Sequence, residues 1–590
     1  MDALQPADAA AAYEIPFIVG IVGHRDLVPA EVPAIRAAVD QLLRALQDAA
    51  PDVRIALLSS MAAGADLLVA DVARERGLEL VALLPYAVER CRDDLTDDSG
   101  RASFDASLAR AERLVLPLPA GAGETDLAPG SAARDRQFQR AGALVARYSS
   151  LLIAVWDGKD TDHAAGTARV VDYRRRGVSG DDDAAPEVAE PLLAAQDNDL
   201  IYEIRCSRQG GPVAGVQVLG FSSGGRNSGT VDAGLPHSLV TLLRRTGGFN
   251  RDVRTYSARI AGQGRRLAPP TPYDTPASLL YIDRLFTAAD WLGSHFRRCF
   301  TRALRARYAL WALLAFLLLA FKKQHDGLAG LLSIAGVMLI FSLGWLLAMW
   351  AHRRSWQRRY LDYRALAEGL RVDFYWELSG VRAQFEGEFA HEGFLQRQDA
   401  ELEWIRAAMR AVSLRRALHP PLTWPNGFAH TFAAWVGDPD PVNGSGQLLY
   451  YRNRSHALER RQEAAERIAR AMLFGGLLLG LGLLADAVWS LRAPSLIPHL
   501  LYGLMLWSLA LLTVYGAIFE IYLGEKADRA LIRQYRHMDR LFSFAAGELR
   551  SARSGAEKLE ILRSLGHACL AEHAQWILAH RDKRIEGMRW

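Results

Sequence analysis

With 590 residues, 50% hydrophobic side chains and a formal net charge of +4, the chain has room for three or four domains, and its charge gives no argument for nucleic acid as a partner. Cys91, Cys206, Cys299 and Cys569 are scattered without a CxxC pair, which gives no zinc or disulfide framework and fits a reducing compartment. The polar, Ala-rich start has no basic segment followed by an apolar run, so no cleaved signal peptide is expected.

Residues 1–178 read as strands alternating with helices. The apolar run 17–22 ends at Gly23, and 32–46 has helical periodicity. A second strand covers 54–58, and the helix 65–76 is stopped by Gly77. A third strand covers 79–84 and is closed by Pro85. The helix 102–113 leads into a strand over 113–118, and the helix 134–148 into a buried strand over 151–156. Residues 166–176 form a last helix. This alternation predicts a parallel, doubly wound α/β sheet of the Rossmann-like type, which binds ligands outside the carboxyl ends of its strands.

Three glycine-bearing loops fall at those ends. The first is Gly20-Ile21-Val22-Gly23-His24-Arg25. The second runs from Ser59 through Gly64 and Ala65 to Asp66. The third runs from Trp156-Asp157-Gly158 to Gly166-Thr167. Helix N-termini after the second and third offer free N–H groups and a favourable dipole to phosphate. Arg25 is expected to pair with that phosphate, His24 to hydrogen-bond it, and Asp66 and Asp157 to accept from ribose hydroxyls. Any one loop reads equally well as an ordinary tight turn; the argument rests on three loops sharing one edge of one sheet. No Walker Lys-Ser/Thr follows the glycines, so an ordinary P-loop is absent. The expected nucleotide-binding set is Gly23, His24, Arg25, Ser59, Gly64, Ala65, Asp66, Asp157, Gly158, Gly166 and Thr167. The histidines are isolated and no nucleophile has an evident partner, so no catalytic or metal-ligating residue is expected.

Residues 179–277 change character. The acidic run Asp181-Asp182-Asp183, many glycines and prolines, and short apolar runs at 200–204 and 213–221 predict an irregular or β-rich insertion with no recognisable chemistry. From Ser278 onward, Leu285, Ala288, Ala289, Leu292 and Phe296 mark a helix that leads toward apolar sequence.

That sequence contains two helical hairpins, 308–321 with 327–351 and 471–489 with 496–523, joined by tight tips at 322–326 and 490–495. A spanning helix needs about 20 apolar residues. The run 308–321 is short and reaches that length only by extending to Leu304 and admitting Arg305 and Arg307, which can snorkel. Arg364-Ala365-Leu366 with Arg371 recurs as Arg529-Ala530-Leu531 with Arg536, so the module is duplicated, over 278–420 and 421–590. Arginines and lysines flank the outer ends of both hairpins, whereas the tips carry only Lys322, Lys323 and Arg492. The expected topology is therefore four transmembrane helices in the plasma (inner) membrane, with both termini and the head cytoplasmic. Asp486 and Glu520 lie near span ends and are either interfacial or facing a pore or partner helix. Leu531, Tyr535, Met538, Phe542 and Ala545, and likewise Leu366, Leu370 and Phe374, form amphipathic stripes suited to packing on each other or on copies in a homo-oligomer.

The three loops, in this order, resemble the SLOG superfamily over roughly residues 14–180. That group is Rossmann-like, is named for Smf/DNA-processing proteins and the Lonely-guy hydrolases, and is similar to the cytosolic heads of melastatin-type TRP channels. The resemblance implies a nucleotide or NAD-derived ligand, with no cofactor otherwise implied. The Lonely-guy loop carries a catalytic Glu where Val170 stands here, and only Gly166 precedes Thr167, so the resemblance implies binding rather than hydrolysis. Over roughly residues 280–590, each hairpin with its following helix, Tyr363-Arg364-Ala365-Leu366-Ala367-Glu368 and Phe374-Tyr375-Trp376 in the first, resembles the SLATT two-helix membrane effectors. Glu572, Trp576, His580 and Arg581 match the end of that module. These modules accompany SLOG sensors and second-messenger synthases in bacterial conflict systems and are inferred in that family to form pores. The expectation is a nucleotide-sensing membrane effector acting in defence, with the lipid bilayer, a nucleotide-like small molecule and further copies of itself as partners, and no nucleic acid. The alternatives are a membrane-tethered nucleotide or NAD glycosidase that uses Asp66 or Asp157 in place of the Glu, and a constitutive transporter or scaffold.

Overall fold

The computed structural model describes residues 12–118, 123–159, 166–176, 200–222, 234–268, 276–321, 327–385, 403–417, 426–438, 444–492, 494, 497–526 and 528–581. The chain clusters into two compact units. One comprises 1–292, 365–430 and 553–574, the other 293–364, 431–552 and 575–590. These units cut across a linear division at 178, 277 and 420.

The first unit is built on a seven-stranded sheet in the order β4-β3-β2-β1-β5-β6-β7. The elements are β1 (Phe17–Gly23), α1 (Val32–Ala49), β2 (Ile55–Ser59), α2 (Ala65–Glu75), β3 (Glu79–Leu84), α3 (Val88–Asp93), α4 (Asp98–Leu108), β4 (Ala111–Val115), α5 (Ala132–Tyr148), β5 (Leu151–Trp156), α6 (Thr167–Arg176), β6 (Leu200–Arg205) and β7 (Gln217–Ser222). Neighbouring strands are parallel up to β6, and β7 returns antiparallel to it. All six residues of β5 are buried, as expected for a central parallel strand covered on both faces. The core gathers Ile18, Leu58, Leu83, Val145, Leu152, Trp156 and Ile201.

Several boundaries differ from the sequence reading. The helix expected over 102–113 starts earlier, at Asp98, because the Asp97 carboxylate caps it by accepting from Gly100 N at 2.8 Å. It stops at Leu108, and β4 accordingly covers Ala111–Val115 rather than 113–118. The region expected to be an irregular or β-rich insertion supplies β6 and β7, which extend the same sheet. Ala411 and Leu414 join the sheet core from much later in the chain.

The later helices are α7 (His237–Gln263), α8 (Ala277–Phe321), α9 (Gly327–Arg354), α10 (Trp356–Ser379), α11 (Glu403–Ala417), α12 (Gly446–Trp489), α13 (His499–Lys526), α14 (Asp528–Ser551) and α15 (Gly555–Arg581). In the first unit, Asn250 on α7 holds the entry to β1 by bonding both Ile15 N at 2.9 Å and Ile15 O at 3.0 Å. Leu366, Leu370 and Phe374 are fully buried there.

Among the described residues, three helices are long and apolar enough to cross a membrane. They lie within Gly330–Ser379, Gly446–Trp489 and His499–Leu523 and have mean hydropathies of 2.3, 2.0 and 1.8. Their apolar windows are only 6%, 17% and 6% buried, so the chain itself does not cover them, as it would cover helices of a soluble core. The run 308–321 is the end of the 45-residue α8; it exposes Trp311, Leu313, Phe316 and Leu318 but is not among the three. The tip 322–326 lies outside the described residues. In the second hairpin, Gly476 and Gly480 let α12 approach Leu509 of α13, the small-residue contact typical of helices packed in lipid. Asp486 closes the tip, its Oδ1 accepting from Ile497 N at 3.2 Å. Glu520 is exposed. On α14 the buried stripe is Ile532, Tyr535, Met538, Phe542, Ala545 and Leu549; Ile532 replaces the expected Leu531, which is half-buried.

Candidate functional site

The strand order places a topological switch point between β1 and β5. From there the chain winds through β2, β3 and β4 on one side and through β6 on the other. The crevice outside the carboxyl ends of such a strand pair is the usual ligand position in this architecture. Gly23 pairs with Val155 at the ends of β1 and β5, so His24-Arg25 and Asp157-Gly158 emerge side by side.

These loops are tied together directly. His24 N donates to Val155 O at 3.0 Å, and Ala65 N donates to His24 O at 3.0 Å. The His24 ring reaches Asp157, with Nε2 3.1 Å from Oδ1 and 3.0 Å from Asp157 N. One ring nitrogen cannot serve both partners: protonated it donates to the carboxylate, and deprotonated it accepts from the amide. Burial raises the Asp157 carboxyl, but Lys159 N–H and His24 outweigh it and hold Asp157 below its ordinary value. The structure thus gathers Gly23, His24, Gly64, Ala65, Asp157 and Gly158. Gly166 and Thr167 open α6, where Gly166 O accepts from Arg169 N; residues 160–165 lie outside the described residues. Val170, at the Lonely-guy Glu position, is turned into the core against Gly142.

Ser59 and Asp66 serve their own loop. Ser59 Oγ accepts from Met61 N at 3.0 Å, which fixes Met61 at a φ of 56°. Asp66 Oδ2 accepts from Ala62 N at 3.4 Å. Both Asp66 and Asp157, expected at ribose hydroxyls, therefore already have protein partners.

Arg25 is exposed and stacks on Phe138 of α5, 4.3 Å from the ring centroid. It has no ion pair among the described residues. Arg134 lies over the same ring at 5.8 Å but is held by Asp94 at 2.9 Å. Asp94 in turn accepts from the Tyr86 hydroxyl. Burial pushes the nearby Cys91 thiol up to about 12, so it is no nucleophile near neutral pH. On the other flank, Arg205 stacks on Trp156 at 4.7 Å and covers Gly158, where a Cβ would overlap its Nη1. Arg205 shares the buried carboxylate of Glu203 with Arg175. Phe138, Arg205 and Trp156 were missed as site residues because their neighbours come from distant segments; Trp156 was at least visible at the end of its strand.

Burial pushes the Asp66 carboxyl up to about 7 from 3.8, against the opposing pull of Ala62 N–H, Arg25 and Ser60 N–H. The folded state thus holds this proton more tightly than the unfolded chain. Stability should fall as pH rises from about 4 to about 7 and stay lowered above that. Asp66→Asn is expected to stabilise the chain at pH 8 by an amount on the order of a few kcal/mol, with little gain at pH 4. Urea unfolding at the two pH values checks this; equal effects at both would refute it. No protein-family model matches the chain, and no curated protein or solved structure shows significant similarity to it.

Proposed function

We propose that the chain is a ligand-gated membrane effector: the sheet unit binds a nucleotide or NAD-derived anion at the β1/β5 switch point, and the hairpins span the membrane and form a pore when it does. The observation that carries this reading is Arg25, a cation without an ion pair among the described residues, on the loop that leaves β1 at that point. It is supported by apolar helices that the chain leaves uncovered and by the resemblance of the loops and hairpins to SLOG sensors and SLATT effectors. In this reading α8 supplies a fourth span and links the sheet unit to the hairpins. The termini are cytoplasmic, and duplication of the hairpin lets an oligomeric ring close with fewer subunits.

Reconstituted in liposomes, the chain should release trapped dye when a nucleotide or NAD-derived ligand is added. A charge-assisted contact to phosphate contributes about 1.5–3 kcal/mol, so Arg25→Ala should raise the ligand concentration required by roughly one to two orders of magnitude. Absence of release with every candidate ligand and protein density would sink the reading. The glycosidase alternative is favoured by one observation, a buried Asp66 carboxyl that titrates near neutral pH as a general acid or base would. Base released from NAD by the wild type and not by Asp66→Asn would establish it instead.

A further inference from the structure

Arg25 leaves β1 and Arg205 ends β6, with β5 between them in the sheet. The Cα of Arg205 pairs with that of Trp156 at the end of β5. Residues paired in this way on parallel strands project to one face of the sheet, and the Arg205 guanidinium lies over the Trp156 ring, 4.7 Å from its centroid. From there it reaches over Gly158, one residue beyond the Asp157 that meets His24. Gly158 has a φ of 77° and, lacking a Cβ, leaves room for Nη1 against the loop.

The charges around Arg205 do not balance. Glu203 is buried, and its carboxylate accepts from Arg205 Nη2 at 3.0 Å, from Arg175 on α6 and from the Ser222 hydroxyl at 3.1 Å. One carboxylate thus answers two guanidiniums, and neither arginine meets a second carboxylate among the described residues. Arg205 Nη1 and Nε donate to no acceptor among those residues, and Nε is buried. The ring that Arg205 covers is in the same condition: Trp156 is 2% exposed, and its Nε1 is buried without an acceptor among the described residues. Buried donors without acceptors are uncommon in folded chains. Here they accompany a surplus positive charge at the carboxyl end of the sheet, which an incoming anion would answer.

We propose that Arg205, held in place by Glu203, is the second phosphate-binding cation of the β1/β5 site, so that the ligand carries two linked phosphoryl groups, one met by Arg25 and the other by Arg205. This rests on the nucleotide-binding reading of the same crevice. Guanidinium forks match phosphate oxygens. β1 and β6 are two inter-strand spacings apart, about 10 Å, and their two arginines can close that gap from either side. The charge fits as well: Arg25 and the guanidinium in excess over Glu203 answer the two phosphoryl charges of a diphosphate diester, whereas a monophosphate leaves one arginine unanswered.

The test is calorimetry on the full chain in phosphatidylcholine nanodiscs, with ADP-ribose and AMP as probes. The wild type should bind ADP-ribose roughly tenfold or more tightly than AMP. Arg205→Gln should weaken ADP-ribose binding by roughly tenfold or more and so remove the preference. Glu203 keeps Arg175 and Ser222 as partners in that variant. Should it nevertheless fail to fold, Gly158→Ala decides the matter. The new Cβ would overlap Nη1, the far end of a flexible side chain, so the guanidinium must turn away from the loop and the preference should again be lost. The proposal is overturned if the wild type binds both probes equally, or if folded Arg205→Gln or Gly158→Ala retains the preference. In those cases, weaker AMP binding by Arg25→Ala would leave the nucleotide-binding reading standing without Arg205. If the wild type binds neither probe, the proposal and that reading fall together.

Discussion

Gly64→Val is expected to abolish the ligand binding proposed for the β1/β5 crevice and to lower stability by several kcal/mol. Gly64 sits at φ 81° and ψ −121°, a conformation that side chains with a Cβ rarely adopt. A Cβ there would lie 2.5 Å from both the His24 and the Arg25 carbonyl oxygens, and these are backbone atoms that cannot swing aside. A β-branched residue adds a second substituent to the clash. Relief requires the α2 N-terminus to part from the β1 loop, which breaks the Ala65 N to His24 O bond at 3.0 Å and displaces Arg25 with it. The backbone that approaches Gly64 is thus the protein's own. Urea unfolding of the full chain, with amide exchange of residues 24–31, checks the prediction. Wild-type stability and protection in the variant would mean that the loop tolerates a Cβ and that Gly64 is an ordinary turn.

What could be read from the sequence follows the range of the interactions involved. β5 was legible because a central parallel strand is apolar at every position, and β3 because Pro85 ends it. The ends of β1 and β5 were legible as loops because Gly23 and Gly158 punctuate apolar runs. The start of α4 depends on one side chain, Asp97, reaching back to Gly100 N, which periodicity does not weigh. β6 and β7 were visible as short apolar runs, but their membership of the same sheet depends on the pairing of Leu151 with Leu200, far apart in the chain. Within the site, Arg25 was found from its place beside Gly23. Its aromatic partner Phe138 was not, because it lies on a helix more than a hundred residues later. In the hairpin unit, composition reveals apolar helices, whereas the contact of Gly476 and Gly480 with Leu509 depends on the mutual phase of two helices, which no linear pattern encodes.

The β1–α1 loop has a second anchor, and its loss should be nearly as damaging. Glu31 is 5% exposed, just before α1, and its carboxylate takes three donors from the segment between β6 and β7. Oε2 accepts from Ser207 N at 2.7 Å, while Oε1 accepts from Ser207 Oγ at 2.7 Å and from Gly215 N at 3.0 Å. Around it, Gln209 N donates to Asp26 O at 2.9 Å and Arg208 pairs with Asp26 at 3.0 Å. The region that looked devoid of chemistry thus clamps the loop that carries His24 and Arg25. Glu31→Ala removes every acceptor and leaves the amide and hydroxyl of buried Ser207 without their partner, whereas the amide of exposed Gly215 can turn to water. Each orphaned donor costs about 1–3 kcal/mol, so a total loss on the order of 3–5 kcal/mol is expected. Glu31→Gln keeps the volume but presents an NH₂ to one of the donors, so it should lie between wild type and alanine. Because residues 206–215 no longer hold Asp26, Glu31→Ala should also weaken ligand binding although Glu31 is not itself expected to touch the ligand. The order alanine, glutamine, wild type in both urea midpoint and ligand affinity is the expected result. A stability loss without any loss of affinity would show that the clamp supports the fold but does not position Arg25.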